Sequence, residues 1–263
     1  MEEKEELEIA QVTLTINEQP VEMEMTLPAQ PVKASRVLPI LQKMSDSFVK
    51  VGEEGVAAQG KEVSCKKGCN ACCNHLVPVG ELEARNISRL VEEMPEPKRS
   101  QIKKRFSSTL THFRKSGWLE KLNTIQTKTN KERLEIATEF FYEGISCPLL
   151  ADGVCSIYEN RPLVCREFLV ASPAENCSDP ANKPIDRVQF PTSLSTPLRG
   201  IGNNPELGSS PPFLPLMLSL EWSEKFPESA EEKTGKAWMT DFFESLREYE
   251  KDKKEALKSV STS

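Results

Sequence analysis

Four cysteines fall within nine residues, Cys65, Cys69, Cys72 and Cys73, in the run CKKGCNACCNH. Three more, Cys147, Cys155 and Cys165, lie in CPLLADGVCSIYENRPLVCREF, and the eighth is Cys177. All-sulfur ligation selects Zn²⁺, Cu(I) or iron–sulfur clusters over hard ions such as Mg²⁺ or Ca²⁺. Thiols crowded this closely read as metal ligands or redox groups where the compartment keeps them reduced, and as disulfides only as the lesser alternative. Gly68 lets the backbone turn so that several sulfurs converge. A helix starting near Asn70 would put Cys69, Cys72 and Cys73 at i, i+3 and i+4 on one face, close to a helix N-terminus that favours thiolate over thiol. Adjacent helical residues diverge by about 100 degrees, so Cys72 and Cys73 are expected not to share one small ion. One of them would then support the other or serve a second metal. The plain alternative, that these are small buried hydrophobes, fits poorly beside Lys66, Lys67 and Asn70.

In the second segment, the Asp152-Gly153 turn can bring Cys147 and Cys155 together across a short hairpin. Arg161 and Arg166 flank it. A tetrathiolate zinc site or a [4Fe-4S] core leaves about two net negative charges for such cations to offset, and surface ion pairing is the competing reading. Seven cysteines exceed the four that one structural zinc needs, which points to a cluster with supporting thiols or to two sites. His75 is either a ligand, a hydrogen-bond donor to sulfur, or ordinary structure.

Other chemistry finds little support. Only His75 and His112 exist, and neither sits in a Ser/His/Asp or Cys/His motif, which argues against a hydrolase. The CxxC spacing of Cys69 and Cys72 leaves disulfide exchange open. The glycine pair Gly200-Ile-Gly202 has no preceding strand, so no ordinary nucleotide-binding loop is visible.

These residues need a scaffold. Residues 8 to 28 alternate, with Val12, Leu14 and Ile16 and then Val21, Met23, Met25 and Leu27 on one face around the loop NEQP, which predicts a β-hairpin packed on a helix. Val37, Leu41, Met44, Phe48 and Val51 predict an amphipathic helix within residues 34–58, with Pro39 in its first turn. Further helices are expected over 81–94, around Ile102 to Phe113, and through Leu134, Ala137 and Phe141 to a stop at Gly144. About 70 proline-rich residues follow, a length that a compact domain tolerates when something other than regular structure holds it. Closing helices are expected over 212–226 and 237–258, the second with Trp238, Phe242, Leu246 and Tyr249 on one face, and KSVSTS is expected to fray.

The fold class is therefore mainly α with a small β-hairpin (α+β), a helical domain with a long irregular segment stapled by metal. Three segments are expected: a hairpin extension over residues 1–33, a cysteine-cluster metal-binding domain over 34–175, and a Pro-rich loop with C-terminal helices over 176–263. The net charge of −6 argues against nucleic acid, which needs clustered Lys and Arg. The best local exception is the basic stretch Lys98, Arg99, Lys103, Lys104 and Arg105, which reads as a solvated helix face. The acidic start MEEKEELEIA is unlike a secretory leader, and the longest nearly apolar run, Phe213 to Leu220, is far short of a membrane span. A cytoplasmic protein is expected.

The segments CKKGCNACCNHLVPVGELEAR and CPLLADGVCSIYENRPLVCREF resemble the YkgJ-type CxxCxxCC cysteine-cluster family, described as a zinc- or iron-chelating domain and including the bacterial flagellin lysine methylase. The resemblance covers roughly residues 60 to 170. It implies metal ligation by Cys65, Cys69, Cys72, Cys73, Cys147, Cys155 and Cys165, with Glu83, Arg161, Pro162 and Arg166 as matching neighbours and His75 beside them. Here three residues separate Cys65 from Cys69 where the family motif has two, which makes Cys65 the least secure ligand. Cys177 lies outside the shared pattern and is expected to be an ordinary thiol. Through the methylase, the resemblance implies a metalloenzyme that takes S-adenosylmethionine and acts on a protein substrate. A binding or regulatory module with structural zinc, and a metal chelator that buffers or delivers ions, are the alternatives.

Overall fold

The structure is a computed structural model describing residues 6–16, 19–204 and 213–261. The alternating N-terminal run forms β1 (Leu7–Ile16) and β2 (Gln19–Pro28), antiparallel along their whole length, with Leu7 opposite Pro28 and Ile16 opposite Gln19. Residues 17 and 18 of the expected loop lie outside the described residues, and Gln19 and Pro20 already belong to β2. Met25 and Leu27 point into a core. A 3₁₀ turn over Ala34–Arg36 leads into α1 (Leu38–Ala58), which has proline in its first turn. Leu41, Met44 and Phe48 are buried, but Val51 is 51% exposed and the buried face continues through Gly52 and Val56 instead. A helix of 3.6 residues per turn drifts away from a strict 3.5-residue seam, and four turns are enough to carry Val51 outward.

After the first cysteine segment comes a two-residue strand, β3 (Pro78–Val79), then α2 (Glu81–Glu92), α3 (Lys98–Ser116) and α4 (Trp118–Thr124). The last has no periodic signal because it is only seven residues long, yet it buries Trp118 and Leu122. α5 (Asn130–Tyr142) starts with a capping box: Glu132 N donates to Thr129 Oγ1 at 3.3 Å and Thr129 N to Glu132 Oε2 at 2.7 Å. That reciprocal pairing satisfies two otherwise unpaired amides. Its buried face is Phe140 and Phe141, while the expected seam residue Leu134 is 69% exposed. Phe140 meets Trp118 edge to face at 5.3 Å.

The proline-rich stretch is irregular as expected. It carries the two-residue strands β4 (Leu150–Ala151) and β5 (Val154–Cys155), the one-turn helices α6 (Leu163–Arg166) and α7 (Ser195–Leu198), and 3₁₀ turns. The expected helix at 212–226 begins instead as β6 (Leu214–Pro215), which pairs antiparallel with β3; Pro212 lies outside the described residues, and helix α8 spans Ser219–Lys225. Finally α9 (Gly235–Ser261) runs past Lys258, where fraying was expected, and buries Trp238, Phe242 and Leu246. The architecture is mainly helical with three small antiparallel strand pairs among the described residues. None of the described helices is long and apolar enough to cross a membrane.

Two large apolar clusters organise these elements. One joins the hairpin, α1 and α9 through Leu27, Leu38, Leu41, Trp238 and Phe242. The other gathers α2 to α5 with β6 through Ile87, Ile102, Phe113, Trp118, Phe140 and Leu214. Cys147 and Cys155 pack against the second, Leu163 belongs to the first, and Cys65 packs on a small third cluster of Val56, Leu169 and Val188. The cysteine segments thus run where the cores meet, held by packing that needs no metal.

Candidate metal centre

The first cysteine segment is a chain of tight turns. Ser64 N donates to Val170 O at 2.9 Å, and Val170 N to the Cys65 Sγ at 3.4 Å, so Cys65 is tied to the chain just beyond α6. Gly68 adopts φ 94°, a conformation costly for any residue with a Cβ, and Cys69 N closes that turn on Lys66 O at 2.9 Å. A 3₁₀ turn over Ala71–Asn74 then carries Cys72 and Cys73.

The second segment is docked on the first through the backbone. Cys147 N donates to Cys73 O at 2.8 Å, and Ser146 Oγ to Asn74 Oδ1 at 2.8 Å. The hairpin follows, with Asp152 at φ 50° and Gly153 at φ 76°, the paired positive values of a tight hairpin turn, so that Leu150 faces Cys155. Cys165 sits in α6, whose first amide, Leu163 N, is held by Glu83 Oε1 at 2.7 Å. The 3₁₀ turn over Ala174–Ser178 packs on the turn over Ala71–Asn74 and delivers Cys177, only 4% exposed, to the same region.

Cys72 is the hub of this arrangement. Its sulfur is near enough to those of Cys65, Cys147, Cys155, Cys165 and Cys177 that a charge on it opposes ionisation of each of them. All eight thiols are free. A hydrogen bond with Cys73, then burial, pushes the Cys72 thiol far up. Burial pushes Cys147 up to about 12 and Cys177 up to about 11, and also raises Cys65, Cys155 and Cys165. One expectation is corrected here. The helix dipole was to favour thiolate, but a four-residue turn aligns too few peptides, Cys69 lies outside it, and Cys72 is held as a thiol. Cys72 and Cys73 neighbour each other through a thiol–thiol hydrogen bond, which leaves open whether they share one ion. The thiols neighbour one another without converging: among the described residues no three His, Cys, Asp or Glu side chains are gathered around one point. The donor set is soft sulfur, which fits zinc, copper(I) or iron and not hard oxygen-seeking ions.

Around the thiols, Arg161 is the facing cation: it draws Cys65, Cys72 and Cys155 toward thiolate and stacks over Tyr158 at 4.3 Å. Arg166 is occupied elsewhere. It pairs with Asp46 at 2.6 Å and donates to the carbonyls of Arg161 (3.0 Å) and Glu159, so it clamps the loop that carries Arg161. His75 packs against Phe141 at 4.7 Å and Phe168 at 5.5 Å; burial and the nearby Arg187 lower its pKa, and its Nε2 has no hydrogen-bond partner.

Glu83 is 3% exposed, and its Oε2 has no hydrogen-bond partner among the described residues. Burial pushes its carboxyl from 4.5 up to about 7, against the pull of the Leu163 amide and Arg199. An acid whose folded pKa exceeds its unfolded value favours the fold while protonated. Metal-free protein should therefore lose about 3 kcal/mol of stability from this group as pH rises from 4.5 to about 7. Glu83→Gln keeps an acceptor for Leu163 and carries no charge. Urea melts across that window should show a flatter pH dependence in the variant, and an unchanged slope would assign the effect to another group.

The sequence pattern also missed Glu167, whose carboxylate accepts Leu194 N at 2.7 Å and Ser193 Oγ at 2.7 Å and so fastens the loop before α7 to the end of α6. Nothing in its spacing marks it. Cys177 carried one signal: it was the eighth cysteine in a chain whose other seven were already grouped.

Residues 64–183, a little under half of the chain, match the family model described as "CxxCxxCC: Putative zinc- or iron-chelating domain". The matched range includes Cys177 as well as the seven other cysteines. No curated protein and no solved structure matched the chain.

Proposed function

We propose that the CxxCxxCC segment at residues 64–183 is a polythiolate metal centre for zinc or iron, and that handling this metal is the protein's function. The ligands are drawn from Cys65, Cys69, Cys72, Cys73, Cys147, Cys155 and Cys165, with Cys177 joining them. The observation that carries the reading is the docking of two chain segments about Cys72, with the Cys147 amide bonded to the Cys73 carbonyl at 2.8 Å. Separate apolar cores already hold both segments, so metal closes a site that the fold has gathered.

Eight thiols exceed the four that one zinc ion or one [4Fe-4S] cluster requires. The centre therefore takes two ions, or one group with thiols in reserve. Bound zinc would stitch the loops together without redox chemistry, and an iron–sulfur cluster would add electron transfer. Arg161 offsets part of the negative charge either would carry. A full set of free thiols suits a reducing compartment such as the cytoplasm.

A methylase-like step using S-adenosylmethionine gains no support from the glycine pair. A Cβ on Gly200 would meet Ser245 Oγ at 2.6 Å, and one on Gly202 would meet Ala34 Cβ at 2.6 Å, so both glycines serve packing. Metal binding is the function that the geometry favours.

Anaerobic purification, elemental analysis and an absorption spectrum test this directly. Iron with a broad visible absorption assigns an iron–sulfur centre, and colourless protein with stoichiometric zinc assigns a zinc site. Protein that carries neither metal, and takes up neither on reconstitution, would overturn the proposal.

A further inference from the structure

The basic stretch on α3 is not one solvated face. Arg99 pairs with Glu96 at 2.9 Å and Lys103 with Glu92 at 2.5 Å, so two of its cations are neutralised locally. Lys98, Lys104 and Arg105 turn the other way, with Gln101 between them, and line two adjoining cavities between α3 and the β4–β5 hairpin. These cavities, about 590 Å³ and about 450 Å³, share Gln101 and Arg105 and so form one groove. Cys155 lies on the wall of the larger and Cys147 on that of the smaller.

Four cations line this groove, Lys67, Lys98, Lys104 and Arg105, against two carboxylates, Asp152 and Glu159. Glu159 is already paired with Lys67 at 3.3 Å. Among the described residues, Lys98 and Arg105 hydrogen-bond to backbone carbonyls, Ser156 O at 3.3 Å and Pro148 O at 2.8 Å. In a chain of net charge −6, a channel whose lining cations outnumber its carboxylates attracts anions.

We propose that this groove docks an acidic peptide segment of a protein partner. Shape argues for an extended chain, because small-molecule sites enclose most of their ligand whereas these two adjoining cavities lie open along α3 and mix polar with apolar walls. Gln101, Ser108, Thr109 and Asn160 along it supply hydrogen-bonding groups for a peptide backbone. Nucleic acid fits less well. Tyr158, the aromatic side chain in the lining, is already engaged by Lys67 at 5.4 Å and Arg161 at 4.3 Å, which leaves no stacking platform there. The docked segment would lie beside Cys147 and Cys155, and its binding does not depend on metal in the centre.

Fluorescence anisotropy with the full chain tests the proposal. The probes are a labelled peptide alternating Glu with Gly and Ser, the same peptide with Lys for Glu, and a labelled oligothymidylate. The acidic peptide should bind, the lysine peptide should not, and the oligothymidylate should bind about tenfold more weakly. Joint reversal of exposed groove cations, Lys98→Glu with Lys104→Glu, should weaken the acidic peptide by about tenfold, and Lys103→Glu on the opposite face by less than about twofold. No binding of the acidic peptide, equal or tighter binding of oligothymidylate, or an equal loss in Lys103→Glu would overturn the assignment.

Discussion

Cys72→Ser is expected to weaken metal binding sharply while leaving the chain folded. Cys72 is the thiol whose charge would oppose ionisation of five others, Cys65, Cys147, Cys155, Cys165 and Cys177. Serine keeps the shape of the side chain but replaces a soft donor with a hydroxyl that does not ionise at neutral pH. Structural zinc in polythiolate sites is bound by about 10–16 kcal/mol, so one ligand among four accounts for roughly 3 kcal/mol. That corresponds to an affinity loss of about a hundredfold or more. Metal per chain after purification, and competition against a chromophoric chelator, would both report it. Circular dichroism should change little, since Trp238, Phe242, Phe113 and Phe140 lie in apolar clusters that do not include Cys72. Cys177→Ser sharpens the comparison: a loss as large as that of Cys72→Ser makes it a ligand, and a small one makes it a supporting thiol. A Cys72→Ser protein that holds metal against the chelator as well as the parent does would remove the hub from the centre.

Most elements were legible because their signals are local. The hairpin of β1 and β2 follows from period-two alternation, and the Asp152-Gly153 turn from the scarcity of residues that accept positive φ. Helix faces were legible to within a few residues, with errors at Val51, which the 3.6-residue period carries outward, and at Leu134, whose helix buries Phe140 and Phe141 near its other end instead. The losses were non-local. β6 is two residues long and exists only because Pro78–Val79 lies across from it. Cys177 belongs with the other thiols because one 3₁₀ turn packs on another about 100 residues away, and no spacing rule reaches that far. The protonation of Cys72 was misjudged for the same reason. Its state is set by burial and by a neighbour's thiol, both properties of the packed molecule.

That protonation leads to the second large effect, a steep rise of metal affinity with pH. Each thiol whose shift is resolved is pushed upward: Cys65, Cys72, Cys147, Cys155, Cys165 and Cys177. Near neutral pH these groups carry their protons, and each must lose one to bind metal. Below its pKa a thiol that becomes a ligand contributes a factor of about ten in affinity per pH unit. A four-thiolate site should therefore bind zinc about 10⁴-fold more tightly for each unit of pH near neutrality. The sign for the metal-free fold is the reverse. Acids with raised folded pKa values favour the folded chain while protonated, so its stability falls as pH climbs toward and past the ordinary thiol value of 9.0. The two trends occupy successive pH windows, and one experiment reads both. Thermal melts should show the zinc-loaded protein strengthening as pH rises toward the ordinary thiol value of 9.0 and the metal-free protein weakening above it, and chelator competition should give a slope that counts the thiolates. A slope near zero would mean that side chains other than these thiols hold the metal. One above four would show that more than one ion's worth of sulfur is recruited.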